Sequence, residues 1–77
     1  MTKSNETKLL VSTLFDKYSQ LALDTKTTAS LLGKSVISLK VDRGNGKGIP
    51  YSRAGRLIRY SITDIAEYII ENRVRVA

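Results

Sequence analysis

The chain has no cysteine and no histidine. Disulfide staples and zinc-finger ligation both need those side chains, so both are excluded. Cysteine and histidine nucleophile or base chemistry goes with them. Apolar runs are only a few residues long, far short of the roughly 20 that a membrane-spanning helix needs. The N-terminal stretch also lacks the apolar core of a signal peptide, so a cytoplasmic location is expected. Acidic residues are few: 7 Asp+Glu stand against 13 Lys+Arg, a formal net charge of +6.

What is present fits a small basic module. The 77 residues suffice for one domain and not two. A domain of this size buries only about 60% of the surface its unfolded chain exposes. Its thin core leaves little room for a deep catalytic cleft, and neither enzymatic activity nor a cofactor is expected. The isoelectric point of about 9.9 falls in the range of nucleic-acid-binding domains. A positive surface attracts phosphate and gives salt-dependent binding, although many small basic proteins are merely soluble.

Met1 to Glu6 is polar and reads as a frayed end. From Thr7 to about Leu21, apolar residues at Leu10, Val11, Leu14, Phe15, Tyr18 and Leu21 follow a helical period. Ser4 or Asn5 is a suitable cap. The broad apolar face packs on the rest of the domain or forms a dimer surface. Ala22 to Thr25 reads as a connector, with Asp24 or Thr25 capping the next helix, about Lys26 to Leu32.

Gly33 follows that helix where a left-handed residue is needed, and Ser35 offers a fresh N-cap. Two helices thus meet across Gly33-Lys34, the compact turn of a helix-turn-helix. The second runs from about Ser35 to Arg43. Its apolar residues are Val36, Ile37, Leu39 and Val41, with Lys34, Ser35, Ser38 and Asp42 around the opposite side. Lys40 and Arg43 fall within the apolar arc and would snorkel outward along its edges.

Gly44 to Gly48 stops the helix and reads as a flexible loop. Pro50 opens a hairpin, with strands Tyr51–Arg53 and Arg56–Tyr60 around an Ala54-Gly55 turn. Leu57 and Arg59 fall on one face of the second strand; Arg56, Ile58 and Tyr60 fall on the other. A hairpin alone is marginal in water, so it must lean on the helices. Ser61-Ile62-Thr63-Asp64 reads as a capping box, with Asp for Glu, that starts a final helix reaching about Arg73.

Three constellations bear on chemistry. The helix pair can place a helix in a major groove, where Ser35 and Ser38 allow close approach and Lys34 and Lys40 reach phosphate or base edges. Arg53, Arg56 and Arg59 cluster at a thin ribbon with little core to make. Arginine forks suit phosphate and narrow minor grooves. The structural alternatives are solvated charges that blunt a sheet edge and, for Arg59, pairing with Asp64 or Glu67. The segment Gly44-Asn45-Gly46-Lys47-Gly48 fails as a phosphate loop: Gly48 follows Lys47, and the order is helix then strand. Lys47 on such a connector can still touch a DNA backbone. Asp64, Glu67 and Glu71 read as a cap and a solvated face, and no metal site is visible. The expected DNA-contact set is therefore Lys34, Ser35, Ser38, Lys40, Arg43, Lys47, Arg53, Arg56 and Arg59.

From Leu23 to about Ile70 the chain resembles the excisionase-type winged helix-turn-helix family. This is the MerR-like group of phage and transposon excisionases and AlpA-like prophage regulators. The resemblance rests on Thr28-Ala29-Ser30-Leu31-Leu32-Gly33-Lys34-Ser35, Leu39, Ile49-Pro50-Tyr51 with Arg53, Gly55-Arg56, Ile58-Arg59-Tyr60, Asp64-Ile65 and Tyr68-Ile69. It implies a recognition helix in a major groove, with base contacts at Ser35, Ser38 and Lys34 or Lys40. It implies wing contacts at Arg53 and Arg56. The chain departs from the family at Asp42, where an aromatic or apolar residue is common, and at Lys34, which replaces a usually apolar turn residue. The helix before Ala22 exceeds the minimal family domain.

The expected fold is mainly α with a small β-hairpin: residues 1–22 as tail and helix, 23–77 as a winged helix-turn-helix, together one unit. The expected function is sequence-specific binding of double-stranded DNA, as a phage or mobile-element excisionase or a small transcriptional regulator. Partners would be an integrase or transcription machinery, with a homodimer or cooperative array on DNA and no membrane. The alternative is an antitoxin-like or assembly module that docks a protein through its N-terminal helix. RNA binding lacks an exposed aromatic platform.

Overall fold

Four helices and a three-stranded antiparallel sheet account for residues 3–72, the part of the chain described by the computed structural model. In chain order these are α1 (Lys3–Tyr18), β1 (Ala22–Leu23), α2 (Thr25–Leu32), α3 (Val36–Gly44), β2 (Ser52–Ala54), β3 (Leu57–Ser61) and α4 (Ile62–Asn72). The fold is mainly helical. Met1, Thr2 and the expected helix end at Arg73 lie outside the described residues.

Helix α1 starts at Lys3, ahead of the expected caps Ser4 and Asn5, and stops at Tyr18, three residues short of Leu21. Ser19 takes a left-handed conformation (φ 55°), and its N–H donates to the Phe15 carbonyl. That closes the last turn and turns the chain away. Ala22 and Leu23 are then free to pair with Ser61 and Tyr60, making the connector a third strand. The Ile62 N–H donates to the Leu21 carbonyl and extends this seam.

Local capping sets the next two helices. The Asp24 carboxylate accepts from the Thr27 N–H at 2.7 Å and starts α2. Gly33 (φ 68°) ends it: the Gly33 and Lys34 N–H groups donate to the Ser30 and Ala29 carbonyls, a Schellman motif. Ser35 Oγ accepts from the Ser38 N–H at 3.0 Å and starts α3. The same closure recurs at Gly46 (φ 69°), where Gly46 and Lys47 donate to Arg43 and Asp42. The glycine segment expected as a flexible loop is thus folded back onto the end of α3.

The hairpin turn falls one residue later than expected, which shifts the strand pairing by two residues. Ala54 pairs with Leu57, Arg53 with Ile58 and Ser52 with Arg59, which leaves Gly55-Arg56 as the turn. Positive φ falls on Gly55 (63°) and not on Arg56. Glycine in the first central position is the type II′ preference of two-residue hairpins, and it matches the strand twist. An Ala54-Gly55 turn would have put alanine there. The shift moves Arg56 from strand to turn.

The core lies between α1, the sheet and α4. Leu14, Leu23, Ile49, Tyr60, Ile62, Ile65 and Ala66 are buried together, with Leu10, Val11 and Tyr18 of α1 packed against them. The apolar face of α1 is therefore turned inward; Phe15 and Leu21, expected on that face, are exposed. Thr28 is fully buried, and its hydroxyl donates to the Asp24 carbonyl at 2.7 Å. Ser61 caps α4 by accepting from the Asp64 N–H, while its own hydroxyl donates to Asp64 Oδ2. The expected box closes side chain to side chain, consistent with an acid one methylene shorter than Glu. Among the described residues no helix is long and apolar enough to cross a membrane.

Candidate nucleic-acid interface

Between the start of α2, one flank of α3 and the hairpin turn lies an open cleft of ≈ 350 Å³. Asp24, Thr25 and Lys26 form one wall, Val36, Lys40 and Arg43 the second, and Arg56, Leu57 and Ile58 the third. Capping explains why these walls converge. The Asp24 and Ser35 caps fix where each helix begins, and the turn at Gly55 carries Arg56 to the cleft edge.

The cleft gathers Lys26, Lys40, Arg43 and Arg56 from three separate elements. Its one acid, Asp24, is occupied as a cap. Its carboxyl is held below the usual range, first by the Thr27 hydroxyl, then by the Thr27 N–H, with Arg59 and Lys26 adding positive charge nearby. Like charges on fixed walls repel unless an anion sits between them, so the arrangement suits a phosphate-bearing ligand. Lys26 was missing from the expected set. The start of α2 reads as a cap signal in sequence, and only the fold brings it opposite the hairpin.

The other expected contacts divide. The Lys34 ammonium donates to the Tyr68 hydroxyl at 2.8 Å, lies 5.2 Å from the ring centre and stands 3.6 Å from Asp42 Oδ2. The structure thus places it in a brace between the α2–α3 turn and α4. Ser35 is committed as a cap, and Ser38, expected on the solvent side, is half-buried. Arg43 donates from Nη1 to the Tyr60 hydroxyl at 2.7 Å and stacks 5.6 Å from the Tyr51 ring centre. It borders the cleft while fastening α3 to the sheet.

Lys47 lines a second concavity, of ≈ 350 Å³, beside Gly46, Gly48, Pro50 and Tyr51. Arg53 is exposed on the outer strand opposite Ile58. Arg59, paired with Ser52, projects from the other face of the hairpin, and its charge acts on Asp24. Asp64, one of its expected partners, binds Ser61.

The outward side of α3 carries two large apolar residues beside the exposed Lys40. Leu39 is the inward residue, 4% exposed, while Ile37 and Val41 are 73% and 54% exposed. Sequence reading placed Ser38 and Asp42 outward instead. Asp42 turns inward to Lys34, and Leu39 anchors the helix one step round from the expected face. Among the described residues no group of three or more acidic side chains converges as a metal site. No family model, curated protein or solved structure matches this chain.

Proposed function

We propose that this chain is a sequence-specific double-stranded DNA-binding protein built as a winged helix-turn-helix, with α3 as the recognition helix and the β2–β3 hairpin as the wing. The observation that carries the reading is the cleft in which Lys26, Lys40, Arg43 and Arg56 meet between α3 and the hairpin. A helix about 10–12 Å across fits a B-form major groove. The hairpin turn then reaches the adjacent backbone or minor groove. Phosphate contacts from Lys26, Lys40 and Arg56 would set position on the duplex, and the outward face of α3 would read sequence.

The protein acts without catalysis in this reading. As an excisionase it bends DNA and steers an integrase. As a small regulator it occludes a promoter or contacts transcription machinery. Both roles use one groove-reading surface and allow a homodimer or cooperative array; an adjacent integrase gene favours the first. The alternative of a protein-docking N-terminal helix has less surface to work with: Leu10, Val11, Leu14 and Tyr18 of α1 face the core, which leaves Leu9 and Phe15 exposed.

Competition binding tests the proposal. A labelled duplex pool is titrated with the protein in the presence of excess unlabelled single strand. Retention of the duplex complex is expected. Equal loss to single strand, or no duplex complex at all, overturns the reading.

A further inference from the structure

Ile37 and Val41 stand four residues apart on one side of α3, 73% and 54% exposed, while the opposite side is anchored by Leu39. Residues at that spacing are surface neighbours on a helix. Lys40 is exposed beside them, and across the cleft lie Lys26, Arg56 and the exposed Leu57. Two large aliphatic side chains thus project from a rim of cations on a chain of net charge +6. An acidic ligand that also presents apolar groups is complementary to such a surface.

The major groove of DNA is such a ligand. Phosphates line its edges, and every A·T pair presents the thymine C5-methyl on its floor. Of the polar groups expected to read bases, three are poorly placed for it: Ser35 Oγ is taken by the Ser38 N–H, Ser38 is half-buried, and Lys34 is held by Tyr68 and Asp42, which leaves Lys40. We infer that Ile37 and Val41 are specificity-determining residues that read thymine methyl groups, so that the preferred ligand is a duplex bearing thymines under the recognition helix. This rests on the DNA-binding reading above and names its sequence class.

Geometry narrows it further. Residues four apart on a helix rise about 6 Å, and stacked bases rise about 3.4 Å. With α3 along the groove, the two methyls lie roughly two base steps apart. Each methyl removed from such a contact costs about fourfold in affinity, and two cost about 15-fold.

The test uses the whole chain. Duplexes enriched from a randomised pool are resynthesised with deoxyuridine for thymidine, which deletes only the C5-methyl. They are then titrated with wild type and with the Ile37→Ala/Val41→Ala variant. Both positions are exposed and alanine favours helix, so the variant retains its fold, checked by thermal unfolding. The expected result is a drop of about 4- to 15-fold on uracil duplex for wild type, and no discrimination by the variant. Equal wild-type affinity for both duplexes, with binding still steeply salt-dependent, overturns the thymine inference and leaves the DNA reading standing. No salt-dependent duplex binding overturns both. A variant that loses self-association or capture of a protein partner, yet still distinguishes thymine from uracil as wild type does, also overturns the inference.

Discussion

The Lys34 ammonium donates a 2.8 Å hydrogen bond to the Tyr68 hydroxyl and so fastens the α2–α3 turn to α4. Asp42 completes the brace from the far end of α3, 3.6 Å away. Lys34 and Asp42 are the two positions at which the chain departs from the pattern of the winged helix-turn-helix family proposed for it. Here they compensate: the charge placed in the turn meets the charge placed at the helix end.

The brace makes Lys34 a stability residue in this account. Lys34→Met should lower stability by about 1 kcal/mol, roughly 4–8 °C in Tm for a domain of this size. The salt slope of DNA binding should not move. Thermal unfolding and a salt titration of the same variant check both halves. An unchanged Tm with a flatter slope would return Lys34 to the DNA surface.

The same contact gives a pH dependence. The Tyr68 hydroxyl, and after it the Asp42 charge, hold the Lys34 ammonium above its usual range. Its contribution is complete below the usual lysine value and is lost as pH rises through the raised one. The Tm gap between wild type and Lys34→Met should therefore narrow at strongly alkaline pH. A gap that stays constant would remove Lys34 ionisation from the brace.

Arg43 should behave differently from its neighbour Arg56. Tyr60 is 2% exposed, and its hydroxyl accepts from Arg43. Arg43→Met leaves that hydroxyl short of a donor and should cost about 1–3 kcal/mol, read as a lower urea midpoint. Arg56, exposed in the hairpin turn, should leave the midpoint unchanged when replaced by alanine.

These contrasts show what could be read in advance. Gly33, Ser35 and Ser61 act within a few residues of themselves, so the helix boundaries around them were legible. Two-residue β1 is too short to show alternation, and its partner lies far along the chain. The place of the hairpin turn rests on which residue takes positive φ, and a one-residue move of the turn shifts the pairing by two. The α3 face is not fixed by its own periodicity, because Asp42 points inward to Lys34, and Lys34 reaches Tyr68, 34 residues on. Lys26 joined the cleft for a similar reason: its neighbours there come from α3 and the hairpin.

Asp24 links fold and cleft. Asp24→Ala removes the α2 cap and should cost about 1 kcal/mol, while Asp24→Asn, which can still accept, should cost less. Because the Thr27 hydroxyl and N–H hold the carboxyl low, its contribution is present above the usual aspartate value and lost as pH falls through the lowered one. Acid unfolding of wild type and Asp24→Asn checks this: the asparagine variant should lose less stability between neutral and acid pH. Parallel curves would contradict it.

The most direct measurement is the salt dependence of duplex binding for wild type and for Lys26→Ala, Lys40→Ala and Arg56→Ala. If the cleft holds the phosphate backbone, log K should fall steeply with log salt, and each substitution should flatten the slope by about one unit. Weak binding with little salt dependence, or a slope that none of the three changes, would contradict the account.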